Sequence, residues 1–96
     1  MKYRVYRGNQ FLGTLTQTGG DMPWFDGIFE PAPEFAAVQS LFDHARELLA
    51  NNRMFEWESA WEEIAEPGLR LEPLDGREAI TKFLLQIEGR KASWKW

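Results

Sequence analysis

The sequence predicts a two-layer α+β fold: an antiparallel sheet with the element order β-β-β-α-α-β-β-β and two helices on one face. Three observations carry that prediction. Both ends of the chain alternate apolar and polar residues with the period of two that marks strands, whereas residues 34–66 repeat with the 3.6-residue period of helices. The connections inside each strand group are short, so neighbouring strands are expected to run antiparallel. The chain has 96 residues, which suits a single domain spanning 1–96. In a domain of that size a single six-stranded sheet is expected rather than two three-stranded ones, because either small sheet alone would have little to pack against.

The elements follow in order. Tyr3 and Val5 lie on one side of the first strand, and Lys2, Arg4 and Tyr6 on the other. Gly8-Asn9 offers a turn, since both residues tolerate positive φ. Phe11 to Thr16 reads as the returning strand, and Thr18-Gly19-Gly20-Asp21 as a flexible link. Trp24 to Glu30 is a third strand, with Trp24, Asp26, Ile28 and Glu30 opposite Phe25, Gly27 and Phe29. Pro31 and Pro33 close it, because proline removes a ladder donor and suits a first helical turn. Residues 34–50 form the clearest helix, with Phe35, Val38, Leu41, Phe42, Ala45, Leu48 and Leu49 on one face. Asn51-Asn52 interrupts it. A second helix runs from about Met54 to Glu66, with Met54, Trp57, Trp61, Ile64 and Ala65 apolar and Pro67-Gly68 as its stop. Phe55 falls off that face, which points to a helix start one or two residues later. Leu69 and Leu71 alternate with Arg70 and Glu72, and Asp75-Gly76 is expected to be the tight turn between the fourth and fifth strands. Ile80 to Ile87 reads as a strand with Phe83, Leu85 and Ile87 on one side. Ala92, Trp94 and Trp96 alternate with Ser93 and Lys95 in the last strand. Leu41, Phe42, Ala45, Trp61, Ile64 and Phe83 are expected to meet in the core.

Charge is sorted along the chain. Residues 1–20 carry +3, residues 21–66 carry −9 and residues 67–96 carry +2, for a net charge of −4. The acidic stretch contains both helices, so one layer is expected to be acidic and the other basic. The sequence pI near 5.0 disfavours general nucleic-acid affinity, which rests mainly on neutralising phosphates. With no cysteine, disulfides and thiolate–metal sites are excluded, which fits a reducing cytoplasm. No run approaches the ~20 apolar residues of a membrane span, and Gly8-Asn9-Gln10 interrupts any apolar signal region after Lys2 and Arg4. A soluble, unexported protein is expected.

No catalytic constellation is visible, and the chain is expected to be non-catalytic. His44, the only histidine, has Asp43 and Glu47 near it only along its own helix, and nothing pairs it with a nucleophile. Asp26 and Glu30 share a strand face but stand about 13 Å apart, beyond the roughly 5–9.5 Å of a glycosidase pair. The acids lack the spacing of a calcium loop, and Gly8, Gly13, Gly19 and Gly20 lack the context of a phosphate loop, so neither metal nor cofactor is expected. These glycines are read as turn and bulge residues. Trp57 and Trp61 suit core packing, as do Trp94 and Trp96. Trp24, at a loop-to-strand junction, is expected to be the most exposed tryptophan.

Two surfaces remain as candidates. Glu58, Glu62 and Glu66 recur every four residues along the second helix, and each like-charge neighbour pair costs about 0.2–0.5 kcal/mol. Glu62, Glu63 and Glu66 also lie toward the helix C-terminus, where the macrodipole disfavours negative charge. No Lys or Arg interrupts residues 54–69. These three glutamates are the candidate partner-binding residues, for a basic protein partner. Lys2, Arg4, Tyr6, Lys82, Gln86 and Lys95 fall on alternating strand positions and would form a weakly basic sheet face.

The stretch Asp21-Met22-Pro23-Trp24-Phe25-Asp26-Gly27-Ile28-Phe29-Glu30-Pro31 resembles one in short bacterial proteins of unassigned function. There, too, it precedes a helix and a Trp/Glu-rich segment, and the chain ends in aromatic strands. The resemblance covers most of the chain. It implies a bacterial cytoplasmic setting and a stand-alone domain, and it transfers no catalytic residue. The sequence reading is therefore an interaction protein of the immunity or inhibitor kind. The alternative is a small-ligand or nucleic-acid binding module built on the sheet and on Trp24, Asp26 and Glu30.

Overall fold

A computed structural model describes residues 1–96. Strand β1 (Lys2–Arg7) buries Tyr3 and Val5 and leaves Lys2 and Arg4 exposed. Gly8, at φ +60°, turns the chain into β2 (Gln10–Gly19). Thr18 and Gly19, expected as a link, extend β2, because Gln17 donates to Met1 O and Gly19 pairs with Asp26 across the sheet. The β1–β2 register shifts between Val5 and Tyr6: Val5 faces Gly13, and Tyr6 faces Phe11. Leu12 is the extra residue of this bulge, and it joins Gly13 in the interior. A Cβ on Gly13 would meet the Glu30 carbonyl oxygen and lie 2.7 Å from the Phe29 ring, so only glycine fits. Strand β3 (Phe25–Pro31) turns Gly27 and Phe29 inward and Asp26, Ile28 and Glu30 outward. At Gly27 a Cβ would lie 2.7 Å from the Trp94 indole, and its absence leaves room for that ring against the strand.

The long helix expected over residues 34–50 is divided. Pro33–Ala37 is a 3-10 turn, Val38 sits at the junction with φ −119° and ψ 0°, and α1 spans Gln39–Ala50. The apolar face survives the break: Phe35, Val38, Phe42, Ala45 and Leu48 are buried, while Leu41 is half-buried. Asn52 closes α1 in the left-handed region at φ +57°. Arg53 donates to Leu48 O and Asn52 to Leu49 O, the pair of bonds that satisfies a helix end and reverses the chain. Helix α2 (Met54–Ala65) therefore begins at once, not a residue or two later. Its phase is fixed by the corner behind it. Ile64 is fully buried, Trp57 and Trp61 are half-buried against the core, and Phe55 is left pointing outward.

Strand β4 (Leu69–Pro73) buries Leu69 and Leu71. Asp75-Gly76 does form a turn, with Gly76 at φ +85° donating to Pro73 O at 3.4 Å. It does not make the expected hairpin. The sheet order is β4-β1-β2-β3-β6-β5, so β4 and β5 (Leu84–Glu88) lie at opposite edges. The second strand group is thus not a meander. β4 returns to β1, where Arg4 faces Glu72, Val5 faces Leu71, and the Arg70 guanidinium stacks 4.5 Å from the centre of the Tyr6 ring. β5 and β6 (Lys91–Lys95) form a hairpin that joins the other free edge, at β3.

The sheet curls strongly. Ile80 exchanges both backbone hydrogen bonds with Leu71 at the β4 edge. Leu84 starts the opposite edge strand four residues later, a span of at most about 14 Å. Tyr3 and Trp94, on strands three places apart, bring their ring centres to 6.0 Å. Inside this curve lies a core of 17 buried residues drawn from all six strands and both helices. The 3-10 turn packs on β2, α1 packs against β5, and α2 packs on α1. Arg46 of α1 reaches the β5 edge and donates to Ile87 O at 2.6 Å, so the helix covers that edge. Burial pushes the Tyr3 phenol above its ordinary pKa, against the pull of Arg77 and with a further push from Asp75. No helix is long and apolar enough to cross a membrane.

Candidate functional site

Trp24, Asp26 and Glu30 do not converge. Trp24 lines a narrow cleft with about 20 Å³ of free space where both helices meet the β5 edge, among Phe42, Leu49, Trp57, Trp61 and Leu84. That volume admits about one water, far below the roughly 300 Å³ at which ligand pockets begin. Lys95 Nζ lies 5.2 Å from the centre of the Trp24 ring and occupies the face a ligand would stack on. Asp26 borders a separate open groove of about 270 Å³ with Arg46, Gln86, Glu88, Lys91 and Ser93. Its largest cation is already committed, since Arg46 binds Asp43 at 3.0 Å and Glu88 at 3.5 Å. Glu30 stands exposed across from Thr14 and borders neither space. Trp24 is half-buried, and the most exposed tryptophan is Trp96, at 55%. Trp96 falls just past the end of β6, stacks on Phe25 with ring centres 4.9 Å apart and meets Tyr3 edge-on at 6.4 Å.

The sheet's outward face is mixed, not basic. β3 belongs to the acidic part of the sequence, and it carries Asp26 and Glu30 between the uncharged β2 and β6, which bears Lys91 and Lys95. Arg4 faces Glu72, and Lys91 faces Glu88. Lys82 lies outside the strands altogether. Charge therefore does not divide cleanly between the two layers, and the stacked, uniformly cationic surface expected for single-strand nucleic-acid binding is not built.

Along α2 the arrangement differs. Glu58, Glu62 and Glu66 are all exposed, and none takes part in an ion pair or a side-chain hydrogen bond. A helix advances 100° per residue, which places Phe55, Glu62 and Glu66 within about 20° of one line, with Glu58 beside them. Phe55, at 89% exposure, is the most exposed large apolar side chain in the molecule. It thus stands at the N-terminal end of the acidic row, about one, two and three turns from Glu58, Glu62 and Glu66. The sequence held the signal for this residue. Phe55 is out of phase with the apolar stripe, and a phase error in a helix of fixed start is an exposed aromatic.

The helix end is less strained than its sequence suggests. Arg7, at the end of β1, donates from Nε to Ile64 O at 2.9 Å and from its terminal nitrogen to Glu63 O at 3.0 Å. A cation thus satisfies two of the final carbonyls of α2 and offsets the dipole beside Glu62, Glu63 and Glu66. It arrives from 56 residues away in sequence, so no local pattern announces it.

His44 is exposed on α1 and borders an open groove between the helices, with Leu48, Phe55, Ser59, Ala60 and Glu63. Ser59 shares the groove, but no side-chain hydrogen bond or ion pair joins His44 to it or to a carboxylate. No family model matches the chain, and neither a curated protein nor a solved structure does.

Proposed function

We propose that this protein is a bacterial, cytoplasmic, non-catalytic interaction protein that binds a basic partner through the outward face of α2, in the manner of an immunity or inhibitor protein. One observation carries the reading: an aromatic side chain, 89% exposed, heads a row of three glutamates that no cation of the chain pairs. An aromatic anchor beside unpaired charge of one sign is the composition of an interface centre with its steering field. Folding uses neither feature. Phe55 contributes nothing to the core, and the glutamates repel one another.

The test is recovery of partners from the native host on immobilised protein, at ionic strengths either side of about 0.15 M, where the screening length is about 8 Å. Wild type should retain a basic protein at low salt and release it as salt rises, and Phe55→Ser should recover much less of the same protein. Recovery unaffected by both salt and Phe55→Ser would overturn the reading.

A further inference from the structure

The groove between the helices narrows the partner. Its α2 wall is a ridge inclined to the helix axis, Phe55, Ser59 and Glu63, spaced four residues apart with Ala60 beside it; its α1 wall is His44 and Leu48, and Arg53 and Glu56, paired with each other, line the Phe55 end. The small side chains of Ser59 and Ala60 make a low point between a large aromatic at one end and a carboxylate at the other. The open space is about 540 Å³. The row spans about 12 Å, or two helical turns, and two packed helices present a trough whose natural filler is a third helix.

Charge selects among occupants. A second copy of this chain would bring Glu63 and its neighbours Glu62 and Glu66 against their own kind, so self-association through this face is opposed. A cationic amphipathic helix meets both ends of the trough. Its apolar stripe covers Phe55 and the half-buried Ala60 above the buried Leu48, and its basic flank faces Glu63 and the acidic row beside it.

We infer that the α1–α2 groove is a docking site for a cationic amphipathic helix of the partner. This rests on the function proposed above and specifies the element that the partner presents. The probe is a synthetic peptide of about 18 residues, lysine and leucine only, with leucines at helical spacing. Its control has the same composition with the leucines scrambled. Both are titrated into isotope-labelled full chain, with affinity and backbone-amide shifts as readouts.

The patterned peptide should bind at least tenfold tighter than the scrambled one and shift amides in residues 44–63. Ser59→Arg fills the low point with a cation and Phe55→Ser removes the anchor. Each should weaken binding at least tenfold while leaving thermal stability unchanged, since both positions are exposed. Equal binding of the two peptides, or patterned binding indifferent to Ser59→Arg, overturns the groove. If Glu58, Glu62 and Glu66 changed together to Gln abolish binding while the groove variants do not, the acidic row alone carries association; the helix inference then fails and the broader reading stands. If neither set of changes weakens binding, both fail.

Discussion

On the outward face of the sheet, cations stand opposite acids. Arg4 faces Glu72, Lys91 faces Glu88, and Arg70 binds Glu72 at 2.8 Å while stacking on Tyr6. On the outward face of α2, Glu58, Glu62 and Glu66 follow one another with no cation between them, and Phe55 projects at the head of the row. The first arrangement is what strand pairing rewards, because opposite charges across a ladder stabilise it and like charges cost. The second is mildly penalised by every local rule for helices. The contrast separates charge that serves the fold from charge that the fold merely tolerates. Arg7 marks the boundary: it ties the sheet to the end of α2 through backbone carbonyls and leaves the glutamate side chains free.

The comparison can be broken most forcefully at that boundary. Arg7→Gln should cost about 1.5–3 kcal/mol in urea unfolding, the range for hydrogen bonds to a charged group. The loss should shrink by a few tenths when Glu62 and Glu66 are also Gln, because part of what Arg7 offsets is then gone. A loss below about 0.5 kcal/mol would mean that the helix end does not depend on the sheet.

On the sheet side, Arg70→Gln removes the Glu72 pair, the bond to Gly8 O at 2.8 Å and the stack on Tyr6. A destabilisation of about 1 kcal/mol is expected, since the groups are half-exposed. On the α2 side the sign reverses. Changing Glu58, Glu62 and Glu66 together to Gln should raise stability by about 0.2–0.5 kcal/mol for each neighbour pair relieved. Opposite signs at the two faces sharpen the contrast, and equal signs erase it. The smallest effect belongs to Phe55→Ser, which should leave stability within about 0.5 kcal/mol of wild type. A clear loss would show that Phe55 packs in solution.

The periodic features were legible before the structure. Tyr3 and Val5, Phe42 and Ala45, and Leu69 and Leu71 all lie buried on the faces their spacing assigned. Six strands in one antiparallel sheet under two helices also follow from the pattern. Long-range choices did not, because period-two alternation says which side a residue faces and nothing about its neighbour strand. Asp75-Gly76 turns as its chemistry demands, yet the chain after it pairs only Ile80 with β4 before crossing to the far edge. The candidate face was half legible. Glu58, Glu62 and Glu66 show as an interval of four. Phe55 was misread because the tight corner at Asn52, which fixes the start of α2, is a backbone conformation that the sequence only permits. Arg7 was invisible because its partners are carbonyls of a distant helix.

The central claim is that the α2 glutamates serve a partner and not the fold. The direct measurement takes the Glu58→Gln, Glu62→Gln, Glu66→Gln variant and records, on one preparation, its stability by urea unfolding and its recovery of the basic protein retained by wild type at low salt. The account predicts stability equal to or above wild type together with loss of that partner. Recovery equal to wild type at unchanged stability would contradict it and reduce the glutamate row to a solvated surface.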